Sequence, residues 1–233
     1  MASVDFSVEV YQFQIDIAII LFMQIASNPK INKAIKTLLL FIFIFNVAAG
    51  LYMPIIAIYL NQNILGVTLT AIGTSIAIYS IVKSFFQIFI AKKLDTLNGE
   101  KTDFIFLLIG IIIAIVYSLG FLYIKNVNDL YILQILTGIA DACIMASYYA
   151  IFSHHIDKES QGFEWSLFSI VGLTISAAIG STIGGYIASR WGFDYIFILA
   201  AIFNSIAAII LIALFPFIKN FRLQKDYKNL EIN

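Results

Sequence analysis

Charge is what this sequence has least of. Asp, Glu, Lys and Arg make up 12% of its 233 residues, against about a quarter in soluble domains. With 61% hydrophobic residues and a mean hydropathy of +0.94, a water-soluble fold of this length could not hide the apolar surface. The net charge is zero, so no bulk field draws in nucleic acid. Cys143 is the single cysteine. It excludes an intrachain disulfide, and its apolar surroundings suit a small core residue. No basic residue precedes Lys30, so the charged n-region of a cleavable signal peptide is missing. Catalytic patterns are missing too: there is no Walker-type phosphate loop, no Gly-x-Ser-x-Gly elbow and no His-Glu-x-x-His. These absences lead to an all-α polytopic membrane protein, expected to be no enzyme and to use neither cofactor nor metal, with the lipid bilayer as its first partner.

Six apolar runs are long enough to span a bilayer, which takes about 20 helical residues. They cover Thr37 to Leu60, Ala71 to Ala91, Phe104 to Ile124, Leu130 to Ser153, Glu164 to Gly192 and Tyr195 to Ile218. Before them, residues 1–29 form a leader. Val4, Phe6, Val8 and Val10 alternate as in a strand, and Ile15 to Ala26 is apolar but interrupted by Asp16 and Gln24. An interfacial or loosely ordered leader is expected there, with an extra span as the alternative. Residues 30–218 then make the bundle and 219–233 a basic tail. If the leader stays on one side, that face collects Lys30, Lys33, Lys36, Lys92, Lys93, Lys101, Lys158, Lys219, Arg222, Lys225 and Lys228, while the other has Lys125 and Arg190. The excess of positive charge puts both termini in the cytoplasm, which points to the plasma membrane.

The fifth run carries a stripe. Gly172, Ser176, Gly180, Gly184 and Ala188 recur every fourth position, which places them on one slowly turning helix face. Gly185 adjoins it. A smooth face lets another helix backbone approach in lipid, so the stripe is expected to be packed against. Lys83 and Asp141 are the formal charges deep within spans, each costing about 2.5–3.5 kcal/mol at a helix centre. Lys83 lies nine residues from the end of its span and Asp141 thirteen, a depth difference of about 6 Å that a lysine stem can bridge. The pair reads either as a substrate or ion site or as a static tie between spans two and four. Pro54 is expected to kink span one. His154-His155 are adjacent and do not share a helix face, so a solvated turn is expected rather than a metal site. Glu164, at the start of span five, reads as a cap-like charge able to pair with the histidines or with the loop around Asp95.

Three stretches resemble half of a major facilitator superfamily transporter. Ala91-Lys92-Lys93-Leu94-Asp95-Thr96-Leu97-Asn98-Gly99-Glu100-Lys101 is similar to the loop signature Gly-x-x-x-Asp-Arg-x-Gly-Arg-Lys, with Asp95 matching and Gly99 one place late. Gln134-Ile135-Leu136-Thr137-Gly138 stands where proton-coupled members have Arg-x-x-x-Gly, and Gln134 replaces the arginine. Ser176 to Gly185 is similar to the exporters' Gly-x-x-x-Gly-Pro-x-x-Gly-Gly, with Gly180, Gly184 and Gly185 matching and Ser181 in place of proline. The resemblance implies one six-helix bundle with a gating loop at Asp95 and Gly99. It also places Asn46, Tyr52, Gln134, Tyr148 and Tyr149 as candidate pathway contacts beside Lys83 and Asp141. Ordinary members have two bundles with substrate between them, so one bundle implies secondary transport of a small solute by a half-size unit. Such a unit would dimerise, or join a partner half, along the span-five stripe. A non-transporting scaffold and an incomplete chain are the alternatives.

Overall fold

The structure, a computed structural model, describes residues 31–96 and 100–218, together with positions 13, 16, 17, 20, 23–25 and 27–29. Gly99, the alternating Val4 to Val10 and the basic tail lie outside the described residues. The described residues are helical almost throughout, with one isolated bridge pairing Leu65 and Asn126. The helices are α1 (Lys33–Tyr52), α2 (Ile56–Asn63), α3 (Leu69–Thr96), α4 (Glu100–Gly120), α5 (Val127–His155), α6 (Gln161–Leu167), a π-helical run Phe168–Ile175, α7 (Ser176–Trp191) and α8 (Phe193–Ile218). Helix α6, the π run and α7 form one continuous 31-residue rod. Six such rods among the described residues are long and apolar enough to cross a membrane.

Local chemistry sets the ends. Asn32 caps α1, its side chain accepting the Ala34 N–H at 3.0 Å. Asn126 and Asp129 form a reciprocal capping box that starts α5. Gly192, at φ 96°, ends α7 in a conformation that other residues avoid. Span one is shorter than its apolar run. Pro54 lacks an N–H, the helix stops at Tyr52, and Ile56–Asn63 restarts as a separate short helix. The loop expected from Lys92 to Asp103 shrinks the other way, because α3 continues to Thr96 and α4 begins at Glu100. Lys92, Lys93 and Asp95 in the last turns of α3 are exposed, whereas Glu100 and Asp103 in the first turn of α4 are buried.

The helices pack in the neighbour order α3, α5, α4, α8, α1, α7. Two large apolar cores result, beside a smaller one that packs Ile90 and Leu94 of α3 against Ala142, Cys143 and Ala146 of α5. Of the large two, one joins α1, α4, α5, α8 and the α6–π rod around Phe41, Tyr148 and Phe152; the other gathers Tyr52, Tyr59, Phe121 and Phe197 near the opposite ends. The Leu65 N–H donates to the Lys125 carbonyl at 3.3 Å, tying the α2–α3 and α4–α5 connections together at that end. The described leader positions before residue 28 are helical, and Ile25 is buried in the first core.

The stripe on the fifth span is buried within this bundle. A Cβ on Gly180 would overlap the Val47 carbonyl and lie 2.9 Å from Gly50 Cα, and one on Gly184 would overlap the Leu51 carbonyl. Helix α1 therefore lies backbone to backbone on α7. That corrects the expectation that this stripe lines a seam with a second copy, since α1 already occupies it. Gly185 points elsewhere: a Cβ there meets nothing within 4 Å, because one residue is a 100° turn on a helix.

Candidate functional site

A cavity of about 330 Å³ opens among α1, α3 and α5, with contributions from α4, the π run and α8. Tyr79, Lys83 and Gln87 reach it from α3 at four-residue spacing, hence from one face. Asp141 faces them from α5. The two helices come close because Gly138 has no side chain: a Cβ there would lie 2.9 Å from Val82 Cβ and 3.0 Å from the Tyr79 carbonyl.

Lys83, Asp141 and Tyr79 form a compact triad. Lys83 Nζ lies 3.2 Å from Asp141 Oδ2. The Tyr79 hydroxyl donates to the same Oδ2 at 2.5 Å, and Lys83 Nζ donates to Tyr79 Oη at 3.0 Å. The lysine and aspartate side chains remain 27% and 17% exposed, so the pair borders the cavity and is not sealed between helices. Asp141 keeps the tyrosine donor whether or not the lysine stays. The lysine is thus the member that can leave at lower cost.

Asn46 and Tyr52 line the same cavity from α1. Asn46 Nδ2 donates to the Ile42 carbonyl at 3.0 Å and to the Gly172 carbonyl at 2.9 Å. Gly172 belongs to the π run, whose wider turn departs from the regular carbonyl ladder. Tyr52 is nearly buried, with its ring 6.1 Å from Tyr117 and 5.9 Å from Phe121. Two other expected contacts lie elsewhere. Tyr148 is fully buried between Phe41, Phe152 and Phe168, while its neighbour Tyr149, turned by 100°, lines the cavity. Gln134 lies off the cavity lining and reaches Ser75 Oγ at 3.5 Å. Sequence reasoning missed Tyr79, Gln87 and Asn204. The first two stand four residues either side of Lys83, a signal that was available. Asn204 is a lone amide in the apolar run of α8.

A second polar cluster lies where α4 begins and α5 ends. Glu100 is 2% exposed. His155 Nε2 is 3.2 Å from its Oε2, and His154 Nδ1 is 3.4 Å from its Oε1. His155 is buried, which corrects the expected solvated turn: the earlier start of α4 brings Glu100 beneath it. No group of three metal-ligating side chains occurs among the described residues. Glu164 is buried as well. It accepts the Asp157 N–H at 3.2 Å and the Ser160 hydroxyl at 3.2 Å, and so closes its own turn. Asp95 is exposed in the last turn of α3.

Six membrane-length helices, with an ion-paired cavity opening among them, define an integral membrane protein. A sequence model of the Major Facilitator Superfamily matches residues 38–228, a range that includes every residue of the cavity. The chain belongs to that superfamily, whose members are in general transporters and not enzymes. No curated protein matches it.

Proposed function

We propose that the chain is a secondary transporter that moves a small solute through the cavity bordered by Lys83 and Asp141. The observation that carries this reading is the position of the ion pair. A scaffold would seal the two charges between helices, where they would serve only as a tie. Here both side chains border a space large enough for a small molecule, and Tyr79 stands ready to keep Asp141 solvated when Lys83 moves. Intramembrane charges held this way mark substrate or ion pathways. Opening and re-forming the pair would couple occupancy to alternating access.

The unit is half-size. A second copy or a partner half covers the cavity's open side along α1, α3 and α5, since the span-five stripe is occupied by α1. Both termini face the cytoplasm, on the charge asymmetry of the loops, with the leader at the interface and Asp95 and Gly99 serving as gate residues. A solute screen in proteoliposomes tests the reading. Lys83→Ala and Asp141→Ala are expected to insert normally and to abolish uptake. Full activity in both removes the site, and a strictly monomeric particle by native mass spectrometry from lipid nanodiscs removes the paired unit.

A further inference from the structure

We propose that the solute is a small zwitterion, an ammonium and a carboxylate on one short skeleton, and that it binds by exchanging partners with the Lys83–Asp141 pair; this rests on the transport reading above and specifies its substrate class. Neither member of the pair is saturated. Lys83 Nζ and the Tyr79 hydroxyl both donate to Asp141 Oδ2. Asp141 Oδ1 accepts no hydrogen bond among the described residues and keeps accessible surface. Lys83 Nζ donates to Tyr79 Oη and to Asp141 Oδ2, which leaves the third ammonium hydrogen unspent. Both side chains line the cavity, and both are partly exposed. The site therefore offers one anionic acceptor and one cationic donor, side by side, to whatever enters.

Charge balance selects the occupant. Lys83 and Asp141 are the formal charges of the lining. A lone cation on Oδ1 meets a carboxylate that Lys83 already neutralises, and a lone anion on Nζ meets a lysine that Asp141 already neutralises. Either one opens the pair only by leaving a charge uncompensated inside the membrane, which is costly. A neutral solute leaves the pair closed and cannot drive the opening on which transport depends. A zwitterion supplies both replacements. Its ammonium takes Oδ1, its carboxylate draws Lys83 away, and every charge keeps an opposite neighbour throughout. Tyr79 stays on Oδ2, so Asp141 holds its place during the exchange. Phe45, Met145 and Leu173 face the same cavity and suit an aliphatic group on the solute.

The test is titration calorimetry on the purified chain in lipid nanodiscs with three probes of one skeleton. They are leucine, leucinamide, which keeps the ammonium and lacks the carboxylate, and N-acetyl-leucine, which keeps the carboxylate and lacks the ammonium. At about pH 6.5 a free α-amino group is protonated. Leucine is expected to bind the wild type about tenfold or more tightly than either analogue, the worth of one hydrogen bond to a charged group. Removing one charge inverts the order: Asp141→Asn is expected to prefer N-acetyl-leucine, and Lys83→Gln to prefer leucinamide. Lys83→Gln/Asp141→Asn has no charge left to bury, so it is expected to keep the wild-type elution profile and to lose the preference for leucine. No binding of leucine, equal or tighter binding of an analogue to the wild type, single variants that keep the wild-type order, or a double variant that still prefers leucine would each overturn the inference. Proteoliposomes that take up only solutes of a single charge or none remove this inference and leave transport standing. A particle that binds leucine with the expected order and inversions but moves nothing removes transport instead.

Discussion

The α1–α7 contact and the α3–α5 contact both depend on a glycine that admits a neighbouring helix, yet they are built for opposite ends. Between α1 and α7 the glycines meet backbone, and a Cβ at Gly180 or Gly184 overlaps a carbonyl of α1. Nothing there can adjust, because no flexible side chain stands between the two main chains. Between α3 and α5, Gly138 brings together three polar side chains, and they face a cavity. The surroundings differ as well. The apolar window of α1 is 61% buried inside the bundle, that of α3 only 6%. Each contact joins an inner helix (α1 or α5, both 61% buried) to one at an end of the neighbour order (α7 or α3), and α3 is the more exposed of those two, so it can shift with less disturbance of the cores. Stability and movement are assigned to different helix pairs.

The largest expected effect breaks the rigid side. Gly184→Leu forces a side chain into the Leu51 backbone, which has no rotamer to yield, so a loss above about 3 kcal/mol is expected, visible as the absence of a monodisperse peak in fluorescence-detected size exclusion. Next comes the polar side. Lys83→Ala leaves Asp141 with one donor fewer in a partly exposed site, between the extremes of surface and buried pairs, so a cost of about 1–3 kcal/mol is expected. Lys83→Met/Asp141→Leu should restore most of that in thermal melts while transport stays lost; recovered transport would show the pair to be a tie. Tyr79→Phe removes one charge-assisted hydrogen bond and should cost about 1.5 kcal/mol, with a smaller loss of uptake than either charge deletion. The smallest effect sharpens the contrast between neighbours. Gly185→Ala meets open space and exchanges a flexible helix residue for a better helix former, so a gain of about 0.5–1 kcal/mol is expected. Destabilisation there would mean that the face of α7 beside the stripe is also covered.

Much of the architecture was legible. Hydropathy alone located six spans, since a stretch of about 20 apolar residues has few alternatives to crossing lipid. The two charges were legible as a pair because their depths can be compared by counting residues along each helix. The third member was not called, although Tyr79 stands one turn from Lys83. Tyr148 and Tyr149 could not be told apart by composition. Which of them faces the cavity depends on the rotation of α5, set by the packing of Tyr148 among Phe41, Phe152 and Phe168. The stripe of small residues on α7 lies against α1 and not against a second copy: periodicity shows that a surface is smooth without showing which helix lies on it.

Sequence by itself determined that this chain is helical and lives in lipid, because a bilayer offers an unpaired backbone no water and so leaves the helix as the natural state of long apolar runs. Only the tertiary structure decided that α1 lies on the glycines of α7, that Tyr79 joins Lys83 and Asp141, and that Asn204 of α8 pairs with Ser118 of α4. Those facts depend on the azimuth of each helix about its own axis, and azimuth is fixed by contacts between residues far apart in the chain.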